Sequence, residues 1–539
     1  MKSYRLCDLV LRYVVPFRYA AAFGKAVETA EGSDLFQRSE IGKNERESDL
    51  YSYIKDEFGF LMPNANEGIP SKKSGYSWFF SEGCKGKKLY YLTGGKKKDE
   101  GTSSKTPEDH TDEILKEGNY LEIRISDGGL YLFENGLGFI WYEITVPVSS
   151  NAMGDTAALI QFQNVIKEIN RDIPAVVWED SKKEGFLLKR TKNSAKPVYG
   201  EPFSFGMWIC QLLKDLSVTY FAERRSAYKN MLKNTEKKYL KEKNMPEELF
   251  VGKDMAEGKV PDKPILFEYV LMEQEEDTAE NRHTAVYHLT NGYNENYLCR
   301  SSVSETMKFP FENVIWNATK EGVGYFAWTD GKYENIFKST IKSKIRTDYF
   351  TLLIKVLYQS YSLLIYAERA QTEIFYQKEV LCDEIPKLNE DINYFLARSM
   401  ATSVSHIHHQ NEFYIYLKDA LKIHEDVQSV TSGLEAISRL QKEQEHEKEE
   451  KNANLTQAFL GVVACFAIIT AFTEYPFLAR NIKTLMYQNN VLQYGSREIG
   501  IFGIVIFGVI IIVSGFSVIF AIKSVFRSLK DCFKKKKKK

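Results

Sequence analysis

Apolar residues recur along this chain with three different periods, and each predicts a different kind of element. The first is strand-like. Leu121 to Ser126, Leu130 to Glu134 and Gly138 to Val146 are rich in β-branched and aromatic residues and are separated by Asp127-Gly128-Gly129 and Asn135-Gly136. Such dipeptides favour two-residue hairpin turns, so the spacing predicts an antiparallel meander. Tyr4 to Tyr19 is compatible with a strand or an amphipathic helix, and Pro16 favours the strand. Tyr76 to Phe80, Lys88 to Thr93, Ser217 to Ala222, Ile265 to Met272, Thr284 to Leu289 and Gly324 to Thr329 read as further strands. Two helices interrupt them. One is capped by Asp155 or Thr156 and runs to about Arg171 with Ala158, Phe162, Val165, Ile166 and Ile169 on one face; the other spans Ser204 to Leu216. A mixed α/β domain over residues 1–340 is the expectation, with a polar loop at 93–113 and a Lys/Glu-rich linker at 223–263.

From Asp348 the period becomes helical. Tyr349, Leu352, Leu353, Val356, Leu357, Tyr361, Leu364 and Ile365 fall three and four apart, predicting a long helix to about Glu384 that Pro386 breaks. A second helix starts near Leu388 with no proline before residue 455, and Leu417, Leu421, Val427, Val430, Leu434, Ile437 and Leu440 form its apolar seam. If continuous, its roughly 65 residues make a rod of about 95 Å at about 1.5 Å per residue. A lone exposed rod of that length is not stable, so residues 341–454 are expected to pack as a stalk against copies of the chain or against the preceding helix. A homo-oligomer follows from that seam.

The third pattern is continuous apolarity. Leu455 to Phe472 and Ile499 to Ile522 contain no charged residue. Each meets the threshold of about 18 apolar residues for a membrane helix. The chain therefore reads as an α+β membrane protein: a mixed α/β domain, long stalk helices, two C-terminal transmembrane helices (455–472 and 499–522) joined by an external loop (473–498), and a tail (523–539). That tail carries Lys523, Arg527, Lys530 and the run Lys534 to Lys539, so the positive-inside rule places it in the cytoplasm. Two spans then put the N-terminus there too, at a cell inner membrane, and the first residues show no signal-peptide pattern. The tail would also lie against anionic headgroups.

Charge and cysteine content narrow the picture further. Acidic and basic residues balance at 72 each, which suggests no nucleic-acid polymer as partner. The 7 cysteines are scattered without a C-x-x-C pair, as in a reducing compartment. No enzyme signature is present: Thr93-Gly94-Gly95-Lys96 and Gly83-Cys84-Lys85-Gly86-Lys87 lack P-loop spacing, and no G-x-S-x-G, H-E-x-x-H or kinase set occurs. Lys85, Lys87 and Lys88 could draw an anionic ligand toward the neighbouring aromatic strands, although solvated loop charge explains them as well. His406, His409 and Gln410 fall at i, i+3 and i+4, so on a helix they would share a face that could bind metal or sense pH; half-exposed histidines on a stalk are the plainer reading.

The order of parts, a large α/β domain, a long helix entering the first of two C-terminal spans, one short loop and a basic tail, resembles the CorA family of divalent-cation channels. The family closes its first span with Gly-Met-Asn after an Ile-Thr-Gly-like turn. This chain reads Ile469-Thr470-Ala471-Phe472-Thr473-Glu474-Tyr475-Pro476-Phe477, with Glu474-Tyr475-Pro476 at the signature. The resemblance implies five subunits around a pore lined by the first span, with a divalent cation such as Mg2+ as cargo and no resident cofactor. Glu474 and Tyr475 would then stand at the pore mouth, where an acidic ring concentrates cations, and Thr456, Gln457 and Thr470 would be candidates to line the pore. CorA-like proteins without the signature also resemble membrane effectors of bacterial antiviral defence (CRISPR-type), opened by a small nucleotide messenger. A membrane-anchored scaffold without transport is the third reading.

Overall fold

The computed structural model describes residues 2–38, 48–51, 53–54, 75–85, 88–92, 120–148, 153–167, 176–179, 186–188, 198–202, 205–221, 262–293, 306–376, 381–436 and, with gaps, 438–463. It divides into two units, Met1–Arg369 with Glu390–Val430, and Ala370–Asn389 with Thr431–Lys539.

The first unit is built on one sheet of 14 strands, and its mixed α/β character agrees with the sequence. The strands are β1 (Leu6–Tyr19), β2 (Phe36–Arg38), β3 (Gly75–Phe80), β4 (Lys88–Leu92), β5 (Tyr120–Phe133), β6 (Leu137–Thr145), β7 (Val176–Glu179), β8 (Phe186–Leu188), β9 (Val198–Pro202), β10 (Val218–Thr219), β11 (Ile265–Glu273), β12 (Met307–Phe311), β13 (Val314–Ala318) and β14 (Gly322–Thr329). The main path runs β12-β13-β14-β11-β1-β6-β5-β4-β7-β9-β8. Among the described pairings only β11 with β14 is parallel. That connection needs a crossover, and the chain supplies it with α4 (Ala279–Asn291) and the β12–β13 hairpin.

The N-terminal strand sits in the middle of the sheet. β1 pairs with β6 along one side, and with β11 and then β10 along the other. Pro16 falls between the last β11 pair, Val14 with Ile265, and the first β10 pair, Arg18 with Thr219, where that side of the strand is open and a proline is tolerated.

Both faces of the sheet are covered, which is why β6 and β14 are buried almost without alternation. On one face Tyr13, Tyr142, Leu266 and Phe326 pack with α1 (Phe23–Glu31), α2 (Thr156–Lys167), α3 (Phe205–Leu212) and α4; Tyr142 stacks on Phe205 at 5.3 Å. On the other lies the long helix α5 (Phe350–Tyr376), with Phe350 5.0 Å from Trp141 and 5.4 Å from Phe267, and Tyr358 4.3 Å from Phe133. Each such aromatic contributes roughly 1.5–3 kcal/mol through burial. The helix Glu334–Ala370 is long and apolar enough to cross a membrane, but 72% of its most apolar window is buried, and Phe350, Tyr358 and Tyr361 face the sheet.

Several expected elements differ. Residues 284–289 belong to helix α4, capped by Thr278, whose hydroxyl accepts from the Asn281 N–H, and closed by Gly292 at φ 63°. Asp127-Gly128-Gly129 is not a turn: β5 runs straight through it with a bulge between Ile125 and Asp127. Asn135-Gly136 does turn, with Gly136 at φ 84°. Pro386 lies inside α6 (Leu381–Ser399) instead of ending a helix. The expected continuous rod is broken between α6 and α7 (His408–Ala420), and again where Lys422 takes φ 60°. The loop 93–113 and the linker up to residue 261 lie outside the described residues.

In the second unit Leu434 of the apolar seam is buried, and Asn389 Nδ2 donates to Ser438 Oγ at 3.2 Å. That bond joins α6 to the helical segment that carries the seam. The described residues between 438 and 463 are all helical.

Candidate functional site

The residues singled out from sequence do not gather in one place. Glu474, Tyr475 and Thr470 lie outside the described residues, as does Lys87. Lys85 is paired with Asp127 at 3.2 Å and lies 5.9 Å from the Phe79 ring; Lys88 opens β4 opposite Arg124. The histidines do not share a helical face. α7 begins at His408, so His406 stands exposed on the preceding turn. His409 is half-buried against Tyr349 and Phe311, and that burial lowers its pKa; Gln410 turns inward and donates to Asp348 Oδ2 at 3.1 Å. Among the described residues no group of three or more His, Cys, Asp or Glu side chains is placed to hold a metal.

Thr456 and Gln457 are placed, on the helix that reaches residue 463. Thr456 Oγ1 donates back to the Asn452 carbonyl at 2.8 Å, the usual way a threonine hydroxyl is satisfied in a helix without outside partners. Around them Leu455, Phe459, Leu460 and Val463 are 66%, 68%, 60% and 47% exposed. A helix in a water-soluble protein turns such residues toward a core. Here four of them within nine positions face outward at the point where the first charge-free stretch begins.

A second assembly, missed in the sequence, joins the sheet to the helical segment before α5. That segment, Glu334 to Tyr349, contains two wide-turn π stretches, Phe337–Ile341 and Ile345–Tyr349, a geometry often found at functional positions. It brings Lys342 to Asp8 at 2.7 and 2.9 Å. One turn on, Arg346 pairs with Glu143 of β6, and its carbonyl accepts from Arg12 Nη1 at 2.5 Å. Arg12 lies between Trp141 and Phe350, 4.6 and 4.5 Å from the two rings. Burial pushes the Glu143 carboxyl up, but the Arg12 and Arg346 guanidiniums outweigh it and hold the group below the ordinary carboxylate range. Asp348, also buried, accepts from the Asp49 N–H and from Gln410 and lies 3.6 Å from Lys344.

A strap then ties this segment to the turn between α6 and α7. The Tyr51 N–H donates to the Val404 carbonyl at 2.9 Å, Ser405 Oγ donates to the Asp49 carbonyl at 2.9 Å, and Tyr53 OH donates to the Ser403 carbonyl. Asn411 organises the turn itself: Oδ1 accepts from the N–H groups of Val404 (2.8 Å) and Ser405 (3.2 Å), and Nδ2 donates to the Ser405 carbonyl at 2.5 Å. The available signal was a charge inside a strand otherwise read as apolar, Arg12 in LVLRYVV and Glu143 in IWYEIT, since a strand buried on both faces carries a charge only where it is paired. The arrangement can hold α5 in one register on the sheet, and it presents paired charges instead of a free nucleophile or base. Comparison with known proteins finds no match: no family model, curated protein or solved structure is similar to this chain.

Proposed function

We propose that this chain is a subunit of a membrane ion channel of CorA-like plan, conducting cations and gated by its α/β domain. The observation that carries the reading is the outward apolar face of Leu455, Phe459, Leu460 and Val463 at the start of a charge-free stretch, followed by a second such stretch at 499–522. On this reading 455–472 and 499–522 cross the bilayer, both termini are cytoplasmic, and several copies surround the pore. Thr456, Gln457 and Thr470 face the conduction path, Glu474 and Tyr475 stand at its mouth, and the carboxylates of Glu474 raise the local cation concentration. The ion pairs from Asp8, Arg12 and Glu143 to Lys342 and Arg346 support the gating part, because they join the sheet to the helix that leads toward the stalk.

The test is ion flux through the purified full chain in liposomes, with magnesium, potassium and sodium compared, and Glu474→Ala beside the wild type. Flux that is cation-selective and reduced in the variant is the expected result. A chain that inserts into the bilayer yet passes no ion under any cytosolic extract removes the channel and leaves an anchor.

A further inference from the structure

A second buried polar group lies on the opposite face of the sheet, independent of the membrane reading. Glu268 of β11 is fully buried, opposite Leu11 of β1 and Gly324 of β14, and beyond Gly324 the next strand places Asn317 in the same row. Gln163 and Lys167, one turn apart on α2, cover it. Gln163 Nε2 donates to Glu268 Oε2 at 2.5 Å. Lys167 Nζ turns to the Thr290 carbonyl of α4 at 3.3 Å, and Thr290 Oγ1 accepts from Asn317 Nδ2 at 3.1 Å.

The unpaired atoms are informative. Glu268 Oε1 and Gln163 Oε1 are both buried without a partner among the described residues, and both are acceptors if the carboxyl is ionised. Two buried acceptors on adjoining groups, already joined by one hydrogen bond on their other atoms, leave two unmet needs that a single proton removes. The Tyr13 hydroxyl, facing Glu268 from β1, is also without a partner and does not supply that hydrogen bond. An ionised carboxylate held by one neutral amide in a dry core is strongly disfavoured.

We infer that Glu268 is a proton-binding site at the centre of the sheet: with the proton on Oε1 it donates to Gln163 Oε1 while Gln163 Nε2 donates back to Oε2, a reciprocal acid–amide pair that clips α2 to β11. On deprotonation the proton leaves to solvent, the clip loses one of its two hydrogen bonds, and the buried charge calls for Lys167 or water. The groups facing the pair are Lys167 from α2 and Tyr13 from β1; Gly324 on β14 and Thr290 on α4 bring no titratable side chain, and Glu321 and Lys263 act on Lys167. Burial pushes the Glu268 carboxyl up to about 8, against the pull of Lys167 and the Gln163 hydrogen bond; burial pushes Lys167 down, against the pull of Glu268 and Glu321. The domain thus carries an acid that changes state well above the ordinary carboxylate range.

The sign follows from proton uptake. Between the ordinary carboxylate value and about 8 the folded chain holds a proton on Glu268 that the unfolded chain has lost, so stability falls as pH rises through that window.

The experiment is infrared spectroscopy of the purified full chain across this range, beside Glu268→Gln, with thermal midpoints on the same samples. The expected result is a neutral carboxylic-acid carbonyl band at neutral pH that is absent from the variant and lost in the wild type as pH rises past about 8. Because Gln reproduces the reciprocal amide geometry, the variant's midpoint should stay level where the wild type's falls. No such band in the wild type, or a band that persists in Glu268→Gln, overturns the inference. If that variant fails to fold, Gln163→Leu decides: loss of the amide partner must move the band to higher frequency, and an unmoved band overturns the assignment.

Discussion

Arg12 and Glu143 stand directly opposite each other on β1 and β6 and form an ion pair at 2.8 Å with both side chains buried. Removing one partner of a buried pair leaves an uncompensated charge, at a cost of about 3–5 kcal/mol. Glu143→Gln should therefore lower the unfolding free energy by that amount, whereas Lys342→Ala, which breaks a pair nearer the surface, should cost under about 1 kcal/mol. Equal losses in urea titrations of the two variants would show that the buried network has no special weight.

The same pair predicts acid sensitivity. Arg12 and Arg346 hold Glu143 below the ordinary carboxylate range despite its burial, so the folded state binds this proton less readily than the unfolded chain. The contribution is present above that range and is lost as pH falls through it. Thermal midpoints measured on the way down from about pH 5 should drop more steeply for the wild type than for Glu143→Gln.

Asn411 predicts a local effect. Its side-chain oxygen takes the N–H groups of Val404 and Ser405, and alanine would leave both without that partner. The expected cost is about 1–3 kcal/mol, with faster amide exchange confined to residues 400–407 and the strap around Leu50. Protection in that turn equal to the wild type would mean that the strap alone orders it.

Glycines in β5 and at the β5–β6 turn should respond differently. A Cβ at Gly129 would stand 2.3 Å from the Trp78 carbonyl, and at Gly128 2.1 Å from the Phe80 ring, so alanine at either forces the sheet to shift, at about 1–3 kcal/mol. At Gly136 the obstacle is the left-handed backbone, and Gly136→Asn should be tolerated far better than Gly136→Val. Comparing the melting points of these four variants separates crowding from backbone strain.

For the membrane reading, Leu460→Lys with Val463→Lys should keep 455–472 from inserting while 499–522 still anchors the chain, since each lysine costs about 2.5–3.5 kcal/mol at the centre of an inserted helix, and a reporter tag in the 473–498 loop should then move to the side of the N-terminus. A tag that stays on the same side in the variant and the wild type would count against insertion of this helix.

These glycines also show what the sequence could reveal. Asn135-Gly136 reads as a turn because it needs a positive φ; Asp127-Gly128-Gly129 has the same composition but its glycines admit Trp78 and Phe80, and distance between strands is not written locally. The α4 segment misleads for a related reason: Thr284 to Leu289 carries the β-branched and aromatic residues Thr284, Val286 and Tyr287, yet Ala285, Val286 and Leu289 are buried at helical spacing between a threonine cap and a glycine stop. The long α5 pattern was legible because its aromatic and aliphatic stripe repeats over many turns. The breaks at residues 400–407 and 422 were not, since they depend on Asn411, on the strap from residues 48–54 and on a left-handed lysine. Glu268 was passed over as one acid in a strand; only its unpaired neighbours single it out.

The central place of β1 bears on how the chain is made. During synthesis β1 must wait for residues 265–273 before its second side is covered, and β11 in turn waits for β14. Throughout that interval the nascent sheet carries an open, apolar edge, the state in which strands recruit foreign partners. Contacts this distant in sequence make for slow closure. Sheltering the growing chain until about residue 330 has emerged therefore covers that edge over the whole interval in which it is open.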